Sequence, residues 1–207
     1  MHDKGISLRR MTGAELDRHI PALAELRIRV FRDFPYLYDG DAAYEAKYLA
    51  TYSRARGSVV VLALHGERVV GASTALPLAE ETAEIQAPFL ARGYAPSEVF
   101  YLGESVLLPE YRGRGIGVRF FEEREAHARA WAEDPGSGFG PLRWLAFCAV
   151  ERAADDPRRP AAFEPLNRFW AHRGYARQPE LRTQMRWREL GEAAESPKPM
   201  VFWLKGV

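Results

Sequence analysis

The spacing of apolar and polar positions changes several times along the chain, and each change marks an element. Residues 6–10 read as a short strand. Thr12-Gly-Ala-Glu15 has the spacing of a capping box, in which a hydroxyl and a carboxylate serve orphan helix amides; it predicts a helix to about Phe31. The segment FRDFPYLYDG breaks that helix. Asp41 then caps a second one through about Arg54, with Tyr44, Tyr48, Leu49 and Tyr52 at helical spacing. SVVVLALHGERVVGASTAL is a hairpin of two β-branched runs around His65-Gly66, ended by Pro77. A loose helical stretch covers roughly 81–92. VFYLGESVLL is the next strand, at 99–108, followed by Pro109, a glycine-rich turn and a helix over 115–131. DPGSGFGP is a loop, LRWLAFCAV ends in a strand over 143–150, and a proline-bearing loop runs from Glu151 to Pro165. PLNRFWAHRGY is a short helix stopped by Gly174, and two strands at 180–188 and 199–205 close the chain.

Helices therefore interleave with strands after an early hairpin. This order predicts an α/β (α+β) fold built on a mixed sheet, antiparallel first. Strand 99–108, helix 115–131 and strand 143–150 are expected to form a parallel pair joined through the helix. With no repeat and no low-complexity linker, residues 1–207 are expected to form a single domain. Hydrophobic residues make up 47% and charged residues 28%, enough for a sizeable core. A net charge of +1 offers no broad attraction to nucleic acid or an anionic membrane. No apolar run reaches the roughly 20 residues of a membrane helix, and MHDKGISLRR has no apolar signal core. Cys148 is the one cysteine, which excludes an intrachain disulfide and leaves no zinc cluster; no histidine spacing suggests a metal. The expected setting is cytoplasmic.

Within VLLPEYRGRGIG, three glycines in five residues lie where a strand passes into a helix. The first helical turn carries unpaired amides and the positive end of the dipole, so bare glycines there let a phosphate approach several N–H groups at once. The same glycines also suit a turn that merely needs positive φ or close packing. A Walker loop is absent, and Gly113, Gly115 and Gly117 give GxGxG rather than GxGxxG, mid-chain after a hairpin.

LLPEYRGRGIGVRFF resembles motif A of the GNAT N-acetyltransferase superfamily, with Arg112, Gly115 and Gly117 at its defining positions. The order of elements is similar over nearly the whole chain, and FWAHRGY resembles the family's late helix. The resemblance implies a mostly antiparallel sheet flanked by helices, with the parallel strands splayed at a cofactor site, and acetyl-CoA as cofactor. Gly113, Arg114, Gly115, Ile116, Gly117 and Val118 would hold its pyrophosphate through their amides, with Arg112 beside them. The backbone of Leu107 and Leu108 would pair with the pantetheine arm. Transfer would proceed by direct attack of an amine in a ternary complex.

Such a transfer needs a proton acceptor for the ammonium, a donor for the developing oxyanion and a stable departing thiolate. Glu104 is the first candidate base. Strand alternation places Phe100, Leu102, Glu104 and Val106 on one face, where desolvation raises a carboxyl pKa. The other reading of Glu104 is a carboxylate paired to an internal arginine. Glu151 and Arg152 follow the strand over 143–150 and emerge at the carboxyl end of the sheet. Glu151 is a second base or amine anchor; Arg152, Arg158 and Arg159 suit a substrate anion, or else simply a solvated loop. Tyr36 and Tyr38, in the loop between the first two helices, suit either a cover for the acceptor or packing that holds the loop. In the late helix the family often has a tyrosine that protonates the thiolate. Trp170 stands at that position, and an indole N–H lacks the acidity for it. Either water or Tyr101 would then act, or the thiolate would leave unprotonated, or the protein is not a catalyst. Trp170 can still pack on the cofactor arm, and Asn167 suits either a hydrogen bond to that arm or a cap within the short helix. Cys148 lies in an apolar strand and reads as an inert core residue.

The leading reading is an N-acetyltransferase for a small-molecule amine, including one carrying an anion. An acyl-CoA-binding sensor is the alternative, motivated by Trp170, and a nucleotide-binding protein the third. The last strand pair carries enough apolar surface for a homodimer, or for burial within one sheet.

Overall fold

The computed structural model describes residues 5–207; residues 1–4, which open the MHDKGISLRR segment, lie outside them. The elements are β1 (Ile6–Met11), α1 (Ile20–Phe31), α2 (Ala42–Arg54), β2 (Val59–His65), β3 (Arg68–Pro77), α3 (Ala83–Leu90), β4 (Val99–Tyr101), β5 (Ser105–Leu107), α4 (Ile116–Glu133), β6 (Trp144–Val150), α5 (Asn167–His172), β7 (Ala176–Trp187) and β8 (Ser196–Gly206). Strands pair in the order β1-β2-β3-β4-β6-β8-β7, with β5 also on β3. Among the described residues only β4 and β6 run parallel; the other pairs are antiparallel.

Asp41 caps α2 as expected, its Oδ1 accepting from the Tyr44 amide at 2.9 Å. The capping box at Thr12 does not form. Thr12 has an extended backbone but no side-chain cap bond, and Gly13, at φ +53°, opens a 3₁₀ segment over Gly13–His19. The α-helix begins only at Ile20, where Pro21 removes an amide that would have been an orphan in any case.

The strand expected over 99–108 is broken into β4 and β5 by a bulge, and this break shapes the site. Thr74 of β3 faces two residues, Gly103 and Glu104. Its carbonyl accepts from Gly103 N at 3.0 Å, its amide donates to Glu104 O at 3.0 Å, and its hydroxyl accepts from Glu104 N at 3.2 Å. The pairing register changes by one residue across the break, from Leu76↔Tyr101 to Ser73↔Ser105. Simple alternation therefore fails. Phe100 packs on His127 of α4, whereas Glu104 reaches Arg27 of α1, so the two lie on opposite faces of the sheet. A Cβ on Gly103 would stand 2.5 Å from Tyr52 Oη and 2.7 Å from Thr74 Oγ1, so only glycine fits.

The sheet parts at the same place. The last bond between the parallel strands runs from Leu102 N to Ala146 O, 2.7 Å; β5 then pairs only with β3, and β6 continues along β8. The apolar face of β8, Met200 to Leu204, is buried between β6 and β7 within this one chain. β8 extends beyond the expected 199–205 at both ends, and β7 starts before the expected 180, with a register shift between Gln178 and Arg182.

Candidate active site

Helix α4 starts directly after the glycine turn. Its first internal hydrogen bond runs from Arg119 N to Gly115 O at 3.2 Å, so the amides of Ile116, Gly117 and Val118 have no partner inside the helix. Gly113 and Gly115 hold φ of +74° and +76°, and a Cβ at either would meet nothing within 4 Å. The glycines thus meet both demands at once: left-handed backbone and open approach to the amides. The buried side chain of Ile116 anchors the turn from below. Arg112 Nε donates to Leu107 O at 3.3 Å, and the Arg114 guanidinium lies over the Tyr111 ring at 5.3 Å. A pyrophosphate fits this cradle on geometry and charge.

The two strand-end residues divide. Leu108 N donates to Val70 O of β3 at 3.0 Å, and its carbonyl accepts from Tyr111 N at 3.0 Å. Strand alternation turns the Leu107 backbone the other way, into the gap beside β6. The Leu107 carbonyl there takes Arg112, and its amide faces the gap; both backbone groups of Leu108 are engaged within the chain, unlike the pairing expected of it.

On the α1 face of the break lies a cavity of about 180 Å³. Its floor holds Tyr101, Gly103, Glu104 and Cys148, and its walls come from α1, α2, the turn after β3 and the end of β7. Arg27 bridges Glu45 and Glu104 with its guanidinium 4.4 Å from the Tyr48 ring centre. Glu104 is thus both a wall of the cavity and a carboxylate paired to an internal arginine. Tyr38 donates to Glu45 at 2.6 Å. Tyr36 packs between Phe31, at 4.6 Å, and Trp187, at 5.8 Å. Both tyrosines are half-buried, and burial lifts both hydroxyl pKa values. Tyr101 donates to or accepts from Cys148 Sγ at 3.1 Å, and burial keeps its hydroxyl protonated far above neutral pH. Burial likewise pushes the Cys148 thiol up to about 12, so it carries no thiolate.

Tyr36 also borders a second cavity, of about 400 Å³, which holds Glu151, Arg159, Asn167 and Trp170. Trp170 packs at 5.1 Å from both Phe147 and Trp203. Asn167 is exposed at the start of α5, and Phe169 of that helix lies 3.5 Å from where a Gly117 Cβ would be. Glu151 is held by Arg177 and Arg182. Arg159 donates to Phe163 O at 3.4 Å and covers its ring.

The expected cluster of anion-binding arginines is not assembled. Arg152 turns inward, donating to Pro35 O at 2.7 Å, to Tyr36 O at 3.3 Å and to Glu189. Arg158 pairs with Asp156 and the same Glu189. Glu189 is buried, so it needs these partners, and they fasten the Tyr36 loop to the β7–β8 turn.

Several residues of the site escaped the sequence reading, Arg27 and Glu45 among them. Gly103 had a signal, a glycine inside a strand pattern. Arg124 is fully buried beneath the bulge, its Nη1 3.3 Å from Thr74 O and 3.1 Å from Glu104 O. Glu81 lines the cavity from the turn after β3. Nothing local marked either one, because contacts distant in sequence bring them there.

No curated protein sequence matches this chain. Its fold is that of several solved acetyltransferases. The ribosomal-protein-alanine N-acetyltransferase of Brucella melitensis aligns with TM-score 0.60 at 16% identity, covering 97% of this chain and 99% of that one. An acetyltransferase of Streptococcus agalactiae gives 0.58 at 15% identity over 99% of both chains. YncA of Salmonella typhimurium, solved with its cofactor acetyl-CoA, gives 0.58 at 11% identity, over 98% of this chain and 94% of that one. The sequence itself matches the acetyltransferase (GNAT) family over residues 21–135, more than half of its 207 residues. Fold, glycine cradle and family match together make the chain a member of the GNAT acetyltransferase family.

Proposed function

We propose that residues 1–207 form one domain that transfers the acetyl group of acetyl-CoA to the primary amine of a small metabolite, by direct attack in a ternary complex. One observation carries this reading: the cavity of about 180 Å³ opens at the same break in the sheet that leads, through β5, to the α4 amides. Acetyl-CoA supplies the activated thioester. Arg112 and the amides from Gly113 to Val118 bind its pyrophosphate, and the Leu107 backbone aligns the arm. Asn167 and Trp170 line the far side. Tyr36 and Tyr38 shape the acceptor cavity and keep bulk water out, while Glu104, paired with Arg27, stands on the wall that the acceptor ammonium would face. The Tyr101 hydroxyl retains its proton for a hydrogen bond at the cavity floor. Its lone buried thiol suits a reducing cytoplasmic setting.

Thermal unfolding with and without acetyl-CoA, with ATP and NAD as controls, tests the cradle. Ligand at 100 times its dissociation constant adds about 2.7 kcal/mol, on the order of 5–10 °C for a chain of this size. Mass spectrometry of free amines and peptides incubated with the enzyme then tests the acceptor. A shift with acetyl-CoA followed by modification of peptides alone would refute the small-metabolite reading.

A further inference from the structure

The acceptor cavity contains three carboxylates, and two of them are already satisfied. Glu45 takes Arg27 and the Tyr38 hydroxyl, and Glu104 takes Arg27 from the other side. Glu81 is different. Its Oε2 accepts only from the neighbouring Thr82 amide, at 3.1 Å, and among the described residues no cation lies within ion-pair distance. Arg186, at the rim, directs Nη2 to Glu195 O at 3.0 Å. The cavity therefore holds more negative than positive charge, and its one inner guanidinium is shared between two carboxylates. The walls between these charges are aromatic, chiefly Tyr36, Tyr48, Tyr101 and Trp187.

We infer that Glu81 is the carboxylate that receives the acceptor's proton, and that the acceptor is a cationic amine on a flat apolar body with no acidic group. This rests on the acetyltransferase reading given above. An ammonium entering the cavity supplies the cation that Glu81 lacks, and the aromatic walls favour both its charge and its apolar body. A carboxylate on the same molecule would face Glu45, Glu81 and Glu104, and Arg27, the inner guanidinium, is already taken by two of them. The ammonium gives one proton to Glu81, which returns it to water. The nitrogen then forms its bond to the acetyl carbonyl carbon as the carbon–sulfur bond breaks. The second amine proton leaves with the sulfur, so the products are amide, CoA thiol and one proton. Desolvation raises the Glu81 pKa, the direction a general base needs. Tyr48 and Tyr52 of α2, Tyr101 of β4 and Cys148 of β6 face Glu81 and stay protonated, leaving Arg27, Glu45, Glu104 and Arg186 as the charged neighbours.

Tyramine and tyrosine differ only by a carboxylate and serve as probes, with spermidine as a cation that has no ring. Tyramine should be acetylated with kcat/KM at least tenfold above tyrosine and spermidine. Glu81→Gln should lower that value about a hundredfold or more, abolish the acidic limb of the pH–rate profile, and weaken tyramine binding in calorimetry. The acetyl-CoA thermal shift should stay intact, which also shows that the variant folds. Tyrosine or spermidine preferred over tyramine would overturn the inference. So would a Glu81→Gln enzyme within threefold of the parent with its acidic limb unchanged, or tyramine neither bound nor acetylated by protein that binds acetyl-CoA. Absence of an acetyl-CoA shift would instead count against the acetyltransferase reading, and tyramine calorimetry would still judge the cavity.

Discussion

Arg124 Nη1 lies 3.1 Å from the carbonyl oxygen of Glu104, so a fully buried guanidinium on one face of the sheet holds the backbone of a carboxylate that works on the other. The same nitrogen reaches Thr74 O at 3.3 Å, and both strands of the bulge are tied to one side chain. Burial lowers the Arg124 pKa to about 10, which still leaves it charged at neutral pH. Arg124→Met should cost about 1–3 kcal/mol of stability, since each carbonyl keeps one other donor. Acetyl transfer should fall further than stability does. Denaturant unfolding and kcat/KM on the folded variant check this; an unchanged kcat/KM would remove Arg124 from the positioning of the bulge.

Gly103 has room for no side chain. Gly103→Ala should destabilise the protein by about 1–3 kcal/mol, as overpacking does. Tyr52→Phe removes the nearer obstacle, Tyr52 Oη. In a double-mutant cycle the pair should therefore cost less than the two single changes added together. Strict additivity would mean that the crowding is relieved elsewhere.

Arg27 pairs with two carboxylates, Glu45 fully buried and Glu104 half-buried. Arg27→Met leaves Glu45 and Glu104 facing each other without a cation, so a loss of about 3–5 kcal/mol is expected. Adding Glu45→Gln should restore part of it. A melting temperature unmoved by Arg27→Met would contradict this account.

Acid should loosen the clamp around Glu189 early. Hydrogen bonds from Arg158 lower Asp156 to about 2, and those from Lys198 and the Glu189 backbone lower Glu192 to about 2. Burial opposes the charge on Glu189, but Arg152 and Arg158 still hold its carboxyl below the ordinary range. Depressed carboxyl pKa values contribute stability above the unfolded value, about 4, and lose it as pH falls through the folded one. Between pH 4 and 2, amide exchange should rise first around 151–159 and 188–192. Uniform exchange across the sheet would argue against a local clamp.

Cys148 should resist alkylation. With its thiol pushed up to about 12 and buried against Tyr101, iodoacetamide at pH 8 should leave native protein unmodified and label it fully in denaturant. Rapid native labelling would show that the cavity floor opens.

Local pattern was enough for much of this fold. Asp41 begins its helix through its own side chain, Pro77 and Gly174 end elements through their backbone preferences, and the hairpin at His65-Gly66 follows from two β-branched runs around a turn. The glycine cradle was equally readable, because φ above zero and open amides are demands on neighbouring residues. Tertiary structure decided what depends on distant partners. Whether Thr12 capped a helix turned on the 3₁₀ geometry that followed, and whether strand 99–108 ran straight turned on Thr74 and Arg124. The arginines after β6 looked available until Glu189, far along the chain, claimed two of them. Glu104 and Glu81 are both glutamates near apolar runs, and the sequence by itself cannot separate them. Only the fold gives Arg27 to one and no cation to the other, because the charge state of a buried carboxylate is set by what packs against it.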